Sequence, residues 1–114
     1  MKVSDYIKYK NSTKMINKKI HRDLLITDIH FEILFHIYNS KEQMMNYSEV
    51  KKALSMHESM LTKQLNILEQ RAFISKERDK SNQRKVIIKL NKQQKKKCES
   101  LIAGVEKIIE DLEG

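Results

Sequence analysis

Ser59, Thr62, Lys63 and Asn66 recur at three- and four-residue steps, so a helix over this stretch would carry two hydroxyls, an ammonium and an amide on one face. These are hydrogen-bonding groups rather than reactive ones. Asn can take adenine bidentately, Thr can meet a thymine methyl, and Lys can reach guanine or a phosphate. The same face would equally serve as the solvent side of an ordinary amphipathic helix, and spacing alone does not choose. A second set follows shortly after. Arg78, Lys80, Arg84 and Lys85 crowd a polar run that also holds Ser81, Asn82 and Gln83. Concentrated positive charge of this kind suits a polyanion, because each cation that meets a phosphate releases condensed counterions; a solvated, solubilising face is the plainer alternative.

Other chemistries find no support in the chain. There is no paired acid and base, no nucleophile elbow and no phosphate loop, so neither an enzyme nor a cofactor is expected. His30 and His36 stand six residues apart, off one helical face and without a second ligand pair, so no metal is expected either. The single Cys98 excludes an intramolecular disulfide and any zinc finger. No apolar run approaches the roughly 18 residues of a membrane span, and the N-terminal stretch lacks an apolar signal core. A reducing cytoplasm is the default compartment.

The elements that must position these groups can be read in outline. With 114 residues, 39% of them hydrophobic, two Gly and no Pro, the chain fits one mainly helical domain over 1–114. Phe73 to Leu90 reads as a β-hairpin with a charged tip. Val86, Ile88 and Leu90 alternate with Lys85, Ile87 and Lys89, and Asp79 to Gln83 are turn-tolerant. A hairpin this short needs helices to lean on. Before it, a short helix opening at Ser48 and Glu49 and a longer one from His57 to Arg71 form a helix-turn-helix pattern over 48–71, with Val50, Ala53, Leu54, Leu61, Leu65 and Leu68 facing inward, helped by Met60. Met44 to Tyr47 is a short extended segment that could add a third strand. Helix-turn-helix followed by a basic hairpin is the winged-helix arrangement.

Upstream, Thr27 is a candidate N-cap for an apolar, central helix from Asp28 to Asn39. The first helix, residues 5–22 with Ser4 as a candidate cap, has a narrow stripe of Tyr6, Tyr9, Thr13, Ile16 and Ile20 and seven basic residues against one acidic over 1–22. Asn91 is a candidate cap for the last helix, whose stripe is Cys98, Leu101, Ile102, Val105, Ile108, Ile109 and Leu112. Two terminal stripes with little else to cover them favour a homodimer built on 1–22 and 92–114. Folding of the last helix back onto the chain's own central helix is the alternative. Residues 76–97 hold ten basic residues against two acidic, and 98–114 one against five.

The order of elements resembles the MarR-type winged-helix regulators and, more closely, the small single-domain staphylococcal accessory regulator (SarA) family. Arg78 and Arg84 keep the spacing of the family's wing arginines, while Asn82 and Gln83 stand where it usually has an Asp-Glu pair. Thr62, Lys63, Leu65, Leu68 and Glu69 resemble its recognition-helix run, Lys89 to Gln94 its junction into the last helix, and Ala72 replaces the Gly that MarR proteins often carry. The resemblance implies a dimeric regulator of transcription that binds double-stranded DNA. Ser59, Thr62, Lys63 and Asn66 would read a major groove. Arg84 would enter a minor groove, AT-rich by preference, with Arg78, Lys80 and Lys85 on phosphates and Ser81, Asn82 and Gln83 at the tip. A protein-binding antiregulator or an architectural DNA binder would use the same architecture. Some relatives sense oxidants through a Cys in the first helix; this chain has none there, and Cys98 is expected to be a buried structural thiol on the dimer side of its stripe. The sequence names no small-molecule effector.

Overall fold

In a computed structural model, which describes residues 1–81 and 85–113, the chain runs α1 (Val3–Leu24), α2 (Asp28–Tyr38), a 3-10 turn (Lys41–Gln43), β1 (Met44–Asn46), α3 (Tyr47–Leu54), α4 (Glu58–Gln70), β2 (Ser75–Arg78), β3 (Val86–Lys89) and α5 (Lys92–Glu113). The hairpin is present and gains a partner. β3 is central in an antiparallel sheet of order β1-β3-β2, with Met45 and Lys76 both opposite Ile88.

Helix starts follow side-chain chemistry. The Thr27 hydroxyl accepts from the His30 N–H at 3.1 Å, as its position before Asp28 predicts. Asn91 and Gln94 exchange two 2.8 Å bonds, each side chain accepting from the other's backbone N–H, which opens α5 with a reciprocal capping box. Two expected starts are displaced. α3 opens on Asn46, whose amide oxygen takes the Glu49 N–H at 2.9 Å while Glu49 takes the Asn46 N–H at 3.0 Å, so Ser48 lies inside the helix rather than at its start. In α1 the Asp5 carboxylate accepts from the Lys2 N–H, and Ser4 is helical.

α4 stops without glycine. Ala72 donates to the Glu69 carbonyl and Phe73 to that of Leu68, the paired bonds of a Schellman motif, which require the left-handed φ of 61° that Ala72 adopts. The chain then turns directly into β2.

The core gathers Ile33, Leu34 and Ile37 of α2, Val50 of α3, Leu61, Leu65 and Leu68 of α4, and Ile74, Ile88 and Leu90 of the sheet region. Ala53 and Met60, expected inside, are exposed.

The terminal helices depart from expectation in an informative way. Ile20, Val105 and Ile108 are buried inside the single chain, and α5 packs on α1 and α2, so the fold-back alternative describes α5. These three side chains therefore belong to the chain's own core and are withdrawn as dimer contacts. Cys98 is likewise buried in that core rather than at an open face. α1 and α5 approach closely: a Cβ at Gly104 would lie 2.9 Å from Leu24 Cδ2. In contrast, residues 1–12 of the chain are exposed throughout, so the N-terminal half of α1 runs clear of the core.

Candidate nucleic-acid interface

The rotation of α4 about its axis is fixed by Leu61, Leu65 and Leu68, each no more than 1% exposed. Burying that stripe turns Ser59, Thr62, Lys63 and Asn66 outward together, and all four are exposed. Two are held from behind by residues that spacing could not single out. The Tyr47 hydroxyl donates to the Glu58 carbonyl at 2.9 Å and lies 2.8 Å from Thr62 Oγ1. Since Tyr47 has one proton and spends it on Glu58, Thr62 is the donor of that second bond, which leaves its methyl group and acceptor lone pairs for a ligand. Lys76 Nζ reaches Asn66 Oδ1 at 2.6 Å and stands 3.6 Å from Glu69. Tyr47 sits at the first turn of α3 and Lys76 on β2, so only the fold brings them to α4.

The hairpin is narrow and internally tied. The Asp79 N–H donates to the Lys85 carbonyl at 2.8 Å, and the Asp79 carboxylate accepts from the Ser81 N–H and hydroxyl at 2.8 and 2.7 Å. The loop thus has an acid of its own at Asp79, and the Ser81 hydroxyl is engaged within the tip. Arg78, Lys80 and Lys85 are exposed, and Lys89 pairs across the strands with Glu77 at 2.6 Å. Asn82, Gln83 and Arg84 lie outside the described residues. At the base of the hairpin, Arg71 and Lys97 lie over the Phe73 ring, 5.0 and 5.3 Å from its centre, and add cation–π attraction to the turn that launches β2.

Between α4 and the hairpin lies an open groove of about 850 Å³, lined by Asn46, Tyr47, Thr62, Lys76, Arg78 and Lys85 among others. Thr62 of the polar helix face and the hairpin cations Lys76, Arg78 and Lys85 therefore border the same groove. Behind it, His30 Nε2 meets Gln64 Oε1 at 2.5 Å, which joins the central helix to α4 and gives one ring nitrogen of this buried histidine a partner. His36 is half-buried on the same helix. No cluster of metal-ligating side chains occurs among the described residues, and none of their helices is long and apolar enough to cross a membrane.

Of the remaining stripe residues, Tyr6 and Tyr9 are exposed on the free half of α1, whereas Ile16, Leu101, Ile109 and Leu112 are half-buried against the core and Ile102 is half-buried.

Comparison with known proteins places this arrangement. A family model described as "Transcriptional regulator SarA/Rot" matches residues 15–101. The transcriptional regulator SarA of Staphylococcus aureus is 30% identical over 103 residues, which cover 90% of this chain and 81% of that protein. Among solved structures, Sco3205, a MarR family regulator from Streptomyces coelicolor in complex with DNA, superposes with a TM-score of 0.83 at 16% identity, over 95% of this chain and 68% of that one. The S. aureus MepR–DNA complex gives 0.78 at 18%, over 98% and 82%. At such identities the structural likeness establishes the MarR-type winged-helix fold. The family match adds the activity, which is regulation of transcription and not catalysis, and by that match the chain belongs to the SarA/Rot family of transcriptional regulators.

Proposed function

We propose that the chain works in the cytoplasm as a homodimer that binds double-stranded DNA, with α4 in the major groove and the hairpin as a wing over the neighbouring minor groove. The observation that carries this is the groove that Thr62 of the α4 polar face shares with the hairpin cations Lys76, Arg78 and Lys85. Ser59, Thr62, Lys63 and Asn66 offer hydrogen bonds at a spacing matched to a helix lying in a groove, and Arg78, Lys80 and Lys85 flank them with charge suited to phosphates. Arg84, between Lys80 and Lys85 in the chain, is assigned to a narrow, AT-rich minor groove, with Ser81, Asn82 and Gln83 beside it. Both solved relatives compared above were crystallised with DNA, which supports the same ligand for this surface.

The dimer rests on the free half of α1. Tyr6, Ile7 and Tyr9 are 52%, 47% and 70% exposed on a helix segment that touches none of its own core. Laid against a partner's α1–α5 seam, they would cover Ile16, Leu101, Ile102, Ile109 and Leu112 more fully. Two-fold symmetry then sets two inverted half-sites about one helical turn, or a multiple, apart.

A salt series tests the assignment of phosphate contacts. Lys85→Ala and Arg84→Ala should each lower the slope of log affinity against log salt by about one, with affinity falling on all sequences alike. Unchanged slopes in both variants would remove the wing from the interface.

A further inference from the structure

Lys76 sits on the α4-facing side of β2, opposite Ile88 in the register, and its side chain is only 21% exposed. Its stem lies along the sheet and its ammonium emerges at α4, 2.6 Å from Asn66 Oδ1 and 3.6 Å from the Glu69 carboxylate. An ammonium has donors only, so the atom it meets must be the amide oxygen. This settles which way the Asn66 amide is turned.

The orientation matters for what Asn66 can read. Bidentate recognition of adenine needs the amide oxygen to accept from the N6 amino group while the amide nitrogen donates to N7. Here one of the two lone pairs of the oxygen is taken by the ammonium, and an adenine N6 group using the other would sit beside that positive charge. The Asn66 NH2 group keeps both of its donors, so the pair presents donors more readily than an acceptor. Guanine alone shows two acceptors, O6 and N7, on its major-groove edge.

We propose that Lys76 is a positioning residue for specificity: by holding the Asn66 oxygen it converts Asn66 from an adenine reader into a donor that selects guanine. This rests on α4 being the reading helix. Glu69, 3.6 Å from the ammonium, adds a negative charge that favours Lys76 over α4. The hairpin thereby sets the base preference of a helix it does not belong to.

The test is selection of binding sites from a random duplex library by the full-length wild type and by Asn66→Ala, Lys76→Met and Lys76→Arg. The base pair whose preference relaxes in Asn66→Ala marks the Asn66 contact. The wild type should favour guanine over adenine there by about tenfold, Lys76→Met should move the preference to adenine, and Lys76→Arg should keep guanine. A wild-type preference for adenine would overturn the proposal. So would Lys76→Met binding all sequences more weakly with its preference unchanged, the result of a merely structural brace. If Asn66→Ala relaxes no position, the assignment of Asn66 as a reader fails as well, so the two failures are distinguishable. Should Lys76→Met not fold, replacing the selected guanine by 7-deazaguanine tests the wild type directly: affinity should fall about fivefold or more, and unchanged affinity overturns the contact.

Discussion

The hydroxyl of Tyr47 lies 2.8 Å from that of Thr62 and donates in turn to the carbonyl of Glu58, so the first turn of α3 grips the first turns of α4 through one side chain. The contact braces the two helices against each other at this point. Tyr47→Phe keeps the ring and removes the grip. It should cost about 1 kcal/mol in urea unfolding, and the Thr62 hydroxyl, released, should blur base preference at its position more than it lowers affinity. Loss of stability with an unchanged preference would show that the grip supports the fold alone.

Ala72 occupies a left-handed conformation at φ 61° that costs an L-residue roughly 1–2 kcal/mol. Ala72→Gly should relieve part of this and raise stability by up to about 1 kcal/mol, offset by the greater freedom of glycine in the unfolded chain. Ala72→Val should lower it. Urea midpoints of the three proteins, compared at constant slope, check the order Gly above Ala above Val.

Gly104 stands where α5 meets the end of the Leu24 side chain. A methyl group there requires Leu24 to shift, while alanine gains about 1 kcal/mol in helix propensity, so Gly104→Ala should be close to neutral. Gly104→Leu cannot be absorbed so cheaply and should destabilise by about 1–3 kcal/mol.

Burial, with the Glu99 carboxylate adding to it, pushes the Cys98 thiol up to about 11 from an ordinary value of 9.0. The folded state therefore holds its proton through a range in which the unfolded chain releases it. That contribution to stability is complete below pH 9 and is lost as pH rises from about 9 to 11. Cys98→Ala should remove this part of the alkaline slope. At pH 8 the native thiol should react with a disulfide reagent only as fast as the chain opens, and rapid reaction of the native protein would contradict the burial.

Much of the architecture is legible in the sequence because its causes are local. Thr27 and Asn91 cap the helices that follow them through side-chain bonds to residues three positions on, and Ile88 and Leu90, two apart in the alternating run, are both buried. The polar face of α4 is legible for the same reason, since Leu61, Leu65 and Leu68 define its opposite. What spacing hides is long-range. Tyr47 and Lys76 are an ordinary aromatic and an ordinary cation until the fold brings them to Thr62 and Asn66. The stripe of α5 could cover either a partner or its own chain, because Val105 and Ile108 satisfy the same periodicity in both cases. The packing of α5 on α1 and α2 puts Val105 and Ile108 inside the chain's own core. At the start of α3, Ser48 and Asn46 are both good caps, and Glu49 settles the choice through its bond to the Asn46 N–H.

The claim at the centre is that a two-fold dimer reads duplex DNA through α4. Selection of wild-type sites from a random duplex library, followed by titration of the winner and a scrambled control at two salt concentrations, meets it most directly. The winner should contain two inverted half-sites about one helical turn or a multiple apart, bind two chains, and exceed the scrambled duplex by about 10³-fold or more at physiological salt. A library that yields no common site, or a winner bound no better than its scrambled control, would contradict it.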